Sequence, residues 1–501
     1  MSGWRTSRGS CVLWGLCVLW ALCAGCAKRE PASDSPPILR ISQRNEPATL
    51  DPQLATLPDE FFIIRALGEG LLVPNPDGGA PLPGAAERYD VSPDGLIYTF
   101  HLRPNVNWSN GDPLIAHNFA DMIRRVTAPE SLAPKAHLFS MIQELKTPNP
   151  ETLVITLKQS NADFPAVVAS GPWIPAHEKA DVGNGPFILM EWKPNQHIAV
   201  RRNPRYWDAN NVKLDGIRFL AMDNGDTEER AFRAGQLDVT MAVPVSKIPG
   251  YKSAQPSVLR NVPLAETRYL ALNTLRPPLN DVRVRGALAL ALDRTALAGK
   301  VMQGGQQPAF SFVPAGLHGY APGKLIAENT AQARTLLAAA GFPGGEGFPR
   351  LEMSTWVNTP VLEAIQQMWR RELGIEVAIV QREARTHLAS LASGDFALAF
   401  MTAIPDYDGA SDLFTQLTSA HPLNYPHWRN AKFDRLVATA NTSLDPAARN
   451  TAYQQAEKLL LTEMPVIPLY FNTQNFLVAP RVKNWRADRL WTRFYRDLSV
   501  E

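Results

Sequence analysis

A mixed α/β protein with more than one lobe is what this sequence predicts, on three observations. The chain has 501 residues, well beyond the usual single domain of about 100–200 residues. Its first third holds YTFHLR (98–103) and TLVITL (152–157), which alternate apolar and polar residues as half-buried strands do. Its last part repeats a strand–helix rhythm between residues 331 and 402, with a glycine closing each helix.

The elements follow in order. ILRI (38–41) reads as a short strand, and NG at 110–111 as a turn before a helix over 116–126. Strands are expected within 187–201 and over 216–222, then a helix over 226–234 ended by Gly235. A single helix over 281–301 starts at Asp281, an N-cap residue, and carries Val284, Leu288, Ala291 and Leu292 on one face. The rhythm then runs helix 331–340, strand 350–356, helix 361–373, strand 375–380, helix 384–392 and strand 396–402. Strands joined this way are expected to be parallel, in a doubly wound sheet that binds ligands beyond its carboxyl ends.

Composition excludes several functions. Net charge is +2 and the basic residues are scattered, which argues against a nucleic-acid groove or a polybasic membrane patch. All four cysteines (Cys11, Cys17, Cys23 and Cys26) lie in the first 26 residues, so nothing later can form a disulfide framework, a thiolate metal site or a cysteine nucleophile. Arg5 and Arg8 precede an apolar run over 11–24 that is shorter than the about 20 residues a membrane helix needs. LCAGC (22–26) resembles a bacterial lipobox, with Cys23 where leucine is usual. The expectation is a signal peptide over 1–25, lipidation of Cys26 and a polar tether over 26–37.

No enzyme constellation is present. The chain lacks a phosphate loop, a nucleophile elbow, an HExxH helix and a dinucleotide fingerprint. His421 and His427 are separated by Pro422 and Pro426, which preclude a helical metal pair. In PDYD (405–408) an apolar strand stops and two aspartates follow. By spacing alone they could be a cation site or turn chemistry, with an aspartate capping a helix that begins near Ser411. Trp356 and Tyr407 fall at or just past strand ends, where a cleft or rim packing would place them.

Motifs along the chain from residue 38 carry a resemblance: EPATLDP (46–52), EGLL (69–72), DGLIYTFHLR (94–103), WSNGD (108–112), GNGPF (183–187), RNPRYW (202–207), NDVRVR (280–285), ALDR (291–294), ARTLLAAAG (333–341) and PDYD (405–408). Together they resemble the extracellular solute-binding proteins of peptide ABC importers, the oligopeptide- and dipeptide-binding family 5. The resemblance implies a two-lobed periplasmic-binding-protein-like fold of class II type, with an extra domain and a ligand cleft between the lobes. It implies a discontinuous lobe I (38–68, 180–270 and 479–501), an extra domain II (69–179) and a lobe III (271–478). It also implies a monomer without cofactor or metal, partnered by an oligopeptide, by permease and ATPase subunits, and by the membrane through Cys26. Asp406 falls where similar proteins hold the peptide α-ammonium, and Thr402 and Ile404 would present backbone, with Tyr407 and Trp356 nearby. Phe400, Met302 and Leu362 stand where relatives anchor the ligand carboxylate, so the far end of a peptide would be unanchored and Phe400 would shape specificity. The alternative is the same fold turned to a metal chelate, a glycan or a heme-like ligand.

Overall fold

The computed structural model describes residues 37–486 and 488–501. The expected signal peptide, Cys26 and the expected tether up to residue 36 lie outside the described residues.

Three sheets organise the chain, each with its own core. In the first lobe, Ile38–Gln43 pairs in parallel with Gly216–Ala221, which continues antiparallel through His197–Arg202 to Phe187–Lys193. Its core gathers Leu39, Phe187, Phe219 and Val239 with Phe476 and Leu498 from the end of the chain. The extra domain is an antiparallel sheet in the order Ala86–Val91, Ile97–Leu102, Thr152–Leu157, Ile142–Asn149. The alternation seen in sequence puts Tyr98, Phe100 and Leu102, and Leu153, Ile155 and Leu157, on one face. Helix Ala116–Thr127 covers that face with Phe119, Ala120, Ile123 and Val126.

The third lobe holds a six-stranded sheet in the order Gln307–Pro308, Val466–Leu477, Leu259–Leu272, Leu398–Ala403, Leu351–Thr355, Val377–Gln381. The last three are parallel, as the strand–helix rhythm implies. The remainder corrects the expectation of a parallel sheet, because Leu259–Leu272 and Val466–Leu477 run antiparallel to each other, and Leu259–Leu272 to Leu398–Ala403. These two strands are long enough to serve two lobes. Tyr269 and Leu270 lie in the third core, whereas Phe476 and Val478 lie in the first.

The glycines at 235, 341, 374 and 394 all adopt positive φ at the helix ends. At Gly374 a side chain would also collide with the carbonyl of Gly344, at 2.2 Å. The expected helix over 281–301 does not form as one piece. Asp281 caps Val282–Leu290 through Arg283 N–H, but the chain then turns and Asp293 caps a new segment by accepting from Ala296 N–H at 2.7 Å. Arg294 enforces the break. Its buried guanidinium donates to the carbonyls of Pro468 at 2.8 Å and Ala289 at 3.1 Å, and its own N–H donates to Glu328. A straight helix could not aim it there.

Glu457 is buried in the third lobe, where it accepts from Phe312 N–H and Val313 N–H, both at 2.8 Å, and from the Tyr320 hydroxyl at 2.6 Å. Burial pushes its pKa from 4.5 to about 7, and these donors only partly oppose the rise. The folded protein therefore holds a proton there that the unfolded chain has released. Its contribution is fully present below pH 4.5 and is lost as pH rises through about 7. Melting curves from pH 4.5 to 8 should show the unmodified protein losing stability against Glu457→Gln across that window, by about 3 kcal/mol at most.

Candidate functional site

Strand Leu398–Ala403 leads through Ile404 and Pro405 into Asp406 to Asp408, and helix Ala410–Thr415 follows. On one side the strand is paired with Leu259–Leu272 as far as Ala403. On the other side its ladder with Leu351–Thr355 covers only Leu398 and Ala399. Among the described residues, the backbone of 400–403 thus has an edge without a strand partner, just before the chain turns into a cavity of about 290 Å³ between the lobes. That cavity is lined by Phe61 and Arg65 of the first lobe, Lys135 of the extra domain, Ile404 and Asp406 of the third, and Trp491 near the carboxyl terminus.

Asp406 is already paired. Lys135 Nζ donates to Oδ1 in a short ion pair, and His137 Nε2 stands 3.9 Å from Oδ2. The Lys135 ammonium also lies 5.5 Å from the centre of the Phe61 ring. Behind the pair, Asp406 N–H donates to Asp412 Oδ2 at 2.8 Å. Asp412 is pushed up to about 7, first by burial and then by the charge of Asp406, with the N–H bond and Lys135 opposing. Burial lowers His137, Asp406 opposes that, and Lys135 reinforces it. Although His137, Asp406 and Asp412 bring ligand atoms within 4.8 Å of one another, Lys135 holds the place a metal cation would take.

Asp408 also lines the cavity but does not cap the helix, correcting the expectation. Gly409 occupies the N-cap position, and Asp408 Oδ1 accepts from His318 N–H at 3.3 Å. Arg65 donates to Ala169 O at 3.4 Å, and burial lowers it to about 10 with Asp488 opposing.

A second contact fastens the extra domain to the third lobe. Buried Asp163 accepts from Ser411 Oγ and pairs with His318 Nδ1, both at short range. Tyr407 donates to or accepts from Ser411 Oγ at 2.9 Å while its ring packs in the core of the extra domain. Ser160 Oγ donates to Thr442 O at 2.7 Å.

The structure therefore brings Asp406, Tyr407 and Ile404 to the cavity and leaves other expected residues outside its lining. Phe400 is 1 % exposed and lies in the core of the third lobe, cross-strand from Leu270. Both faces of that strand are covered, so alternation gives it no cleft-facing ring. Trp356 packs half-buried on the same core, its ring 5.0 Å from His387. The Thr402 side chain is half-buried with no partner for its hydroxyl. Leu362 is buried and Met302 packs against the third core. Lys135, His137, Arg65 and Trp491 join Asp406, Tyr407 and Ile404 at the site. Lys135 sits 271 residues from its partner, and no local pattern marks it.

Two lobes around a cavity, with an extra domain fastened across it, are the arrangement of a solute-binding protein. The chain belongs to the bacterial extracellular solute-binding proteins, family 5, whose profile matches residues 80–424. It is 32% identical over 489 residues to the probable deoxycholate-binding periplasmic protein YgiS of Escherichia coli, covering 89% of this chain and 90% of that one. It is 31% identical over 483 residues to the periplasmic murein peptide-binding protein MppA of the same organism, covering 88% and 89%. The solved structure of that murein tripeptide binding protein superposes with a TM-score of 0.84 at 28% identity, over 93% of this chain and 99% of that one. Its unliganded open form superposes at 0.75, at 28% identity over 93% and 98%, so the lobes here stand nearer the first arrangement. The OppA of Haemophilus influenzae in complex with RPPGFSPFR superposes at 0.82, at 25% identity over 93% and 99%. The fold is thus the two-lobed, class II arrangement of periplasmic peptide-binding proteins. Among the described residues no helix is long and apolar enough to cross a membrane.

Asp163→Ala removes a buried acceptor shared by Ser411 and His318, and should weaken the closed arrangement by about 2 kcal/mol. Small-angle scattering of the ligand-free protein is expected to show a larger radius of gyration for the variant. An unchanged radius would exclude the contact as a fastening.

Proposed function

We propose that this protein is the substrate-binding component of an ABC importer that captures peptides between its lobes and delivers them to a permease driven by an ATPase. The peptide main chain adds to the unpartnered backbone edge over 400–403 and Ile404, in the manner of strand addition, and its amino end lies against Asp406. The observation that carries this reading is the strand that leads through Ile404 and Pro405 into Asp406 at a cavity between the lobes. The protein acts as a monomer held to the membrane by a lipid on Cys26, and hinge closure presents it to the permease. Phe400, Met302 and Leu362, which stand where relatives anchor the ligand carboxylate, carry no charge and pack in or against the third core, and the carboxyl end of the peptide is left unanchored.

A second reading is favoured by one observation. Lys135 neutralises Asp406, so an apolar acid of the kind named for the E. coli relative YgiS would meet no uncompensated negative charge there.

Titration calorimetry with tripeptides to pentapeptides, free or amidated at the carboxyl end, and with deoxycholate separates the two. Peptide binding that amidation changes by less than tenfold, about 1.4 kcal/mol, is the expected result. Binding of deoxycholate with no peptide binding would replace the first reading by the second. In cells, Cys26→Ser should move the protein from the membrane fraction to the soluble fraction, and a variant retained in the membrane would exclude the lipid anchor.

A further inference from the structure

Building on the peptide reading above, we infer that Lys135 is a built-in stand-in for the ligand ammonium, and that this cleft selects peptides whose first nitrogen is acylated. The geometry is that of an occupied cation site. Lys135 Nζ sits between Asp406 Oδ1 on the third lobe and the ring of Phe61 on the first, while its own backbone belongs to the extra domain. A carboxylate and an aromatic face are the two partners a ligand ammonium would seek, and one side chain of the protein already engages both. The other oxygen of Asp406 faces His137, and its backbone N–H is bound to Asp412. Both members of the pair are largely shielded from water, at 19% and 18% exposure, so screening by solvent is weak.

A peptide with a free amino terminus would bring a second positive charge to a carboxylate that one ammonium already neutralises. It would either be repelled by Lys135 or have to displace it, leaving a lysine in the cleft without its counter-ion. An acylated amino terminus brings no charge. Its amide N–H can still point at Asp406, and its acyl carbons meet the apolar wall formed by Phe61, Pro172, Ile404 and Trp491. Lys135 is therefore a specificity-determining residue. It turns the aspartate that would recognise an α-ammonium into a neutral pair.

The test offers two matched libraries of tripeptides to pentapeptides, one with free amino termini and one N-acetylated, to the full chain. Native mass spectrometry identifies what is bound, and calorimetry on the best pair gives the affinities. The unmodified protein should bind the acetylated form at least tenfold more tightly than the free amine. Lys135→Met should reverse that preference, gaining at least tenfold for the free amine, and Lys135→Arg should retain the original preference. The double variant Lys135→Met with Asp406→Asn should lose the gain, which a merely structural role for Lys135 would not produce. An unmodified protein that binds free amines as tightly as acetylated peptides, or a Lys135→Met variant that folds by its melting curve yet gains nothing, overturns the inference while leaving the peptide reading intact. Binding of neither library by any of these proteins overturns the peptide reading, and the inference with it.

Discussion

The pair of antiparallel strands Leu259–Leu272 and Val466–Leu477 is the constraint on which the rest of the structure depends. Each begins in one hydrophobic core and ends in another, so the first and third lobes share backbone rather than only surface. Their ladder is interrupted between Pro263 and Thr267, where the proline lacks an N–H and a bulge loosens the pairing. Glu266 within that interruption is fully buried. It pairs with Arg268 and accepts from Asn472 and from the indole of Trp491, a wall of the cavity. This interruption in the crossing strands is thereby tied to the lining of the site.

Buried polar groups fix how the lobes meet. Asp238 receives two hydrogen bonds each from the guanidinium groups of Arg40 and Arg481, which join the start and the end of the chain in the first lobe. Burial raises this carboxylate, and the bonds from Arg481 and Arg40 more than reverse it. Asp163 plays the corresponding part between the extra domain and the third lobe, but one of its partners, His318, is well exposed. In both, a buried carboxylate is held by partners that reach in from the surface.

Much of the fold is legible in the sequence because local rules decide it. Thr152–Leu157 and Ala384–Ala392 have the bounds that alternation, apolar spacing and glycine stops imply. What local rules cannot supply is direction and depth. Nothing in the segment over 281–301 announces that Arg294 would reach across to Pro468 and break the helix. Phe400 reads as a cleft residue by alignment, yet a strand covered on both faces leaves it no cleft to face. The site is half legible for the same reason. PDYD is visible as charge after a strand end, while Lys135, which changes what that charge can do, is brought to it only by a contact between residues 271 apart in the chain.

The fastening of the extra domain has a kinetic corollary. Asp406 belongs to the third lobe, and Lys135 and His137 to the extra domain, so under the proposed hinge closure the carboxylate acquires its counter-ion only as the cleft shuts. In an open conformation it stands in water and can greet any passing cation. Encounter is then permissive and commitment is selective.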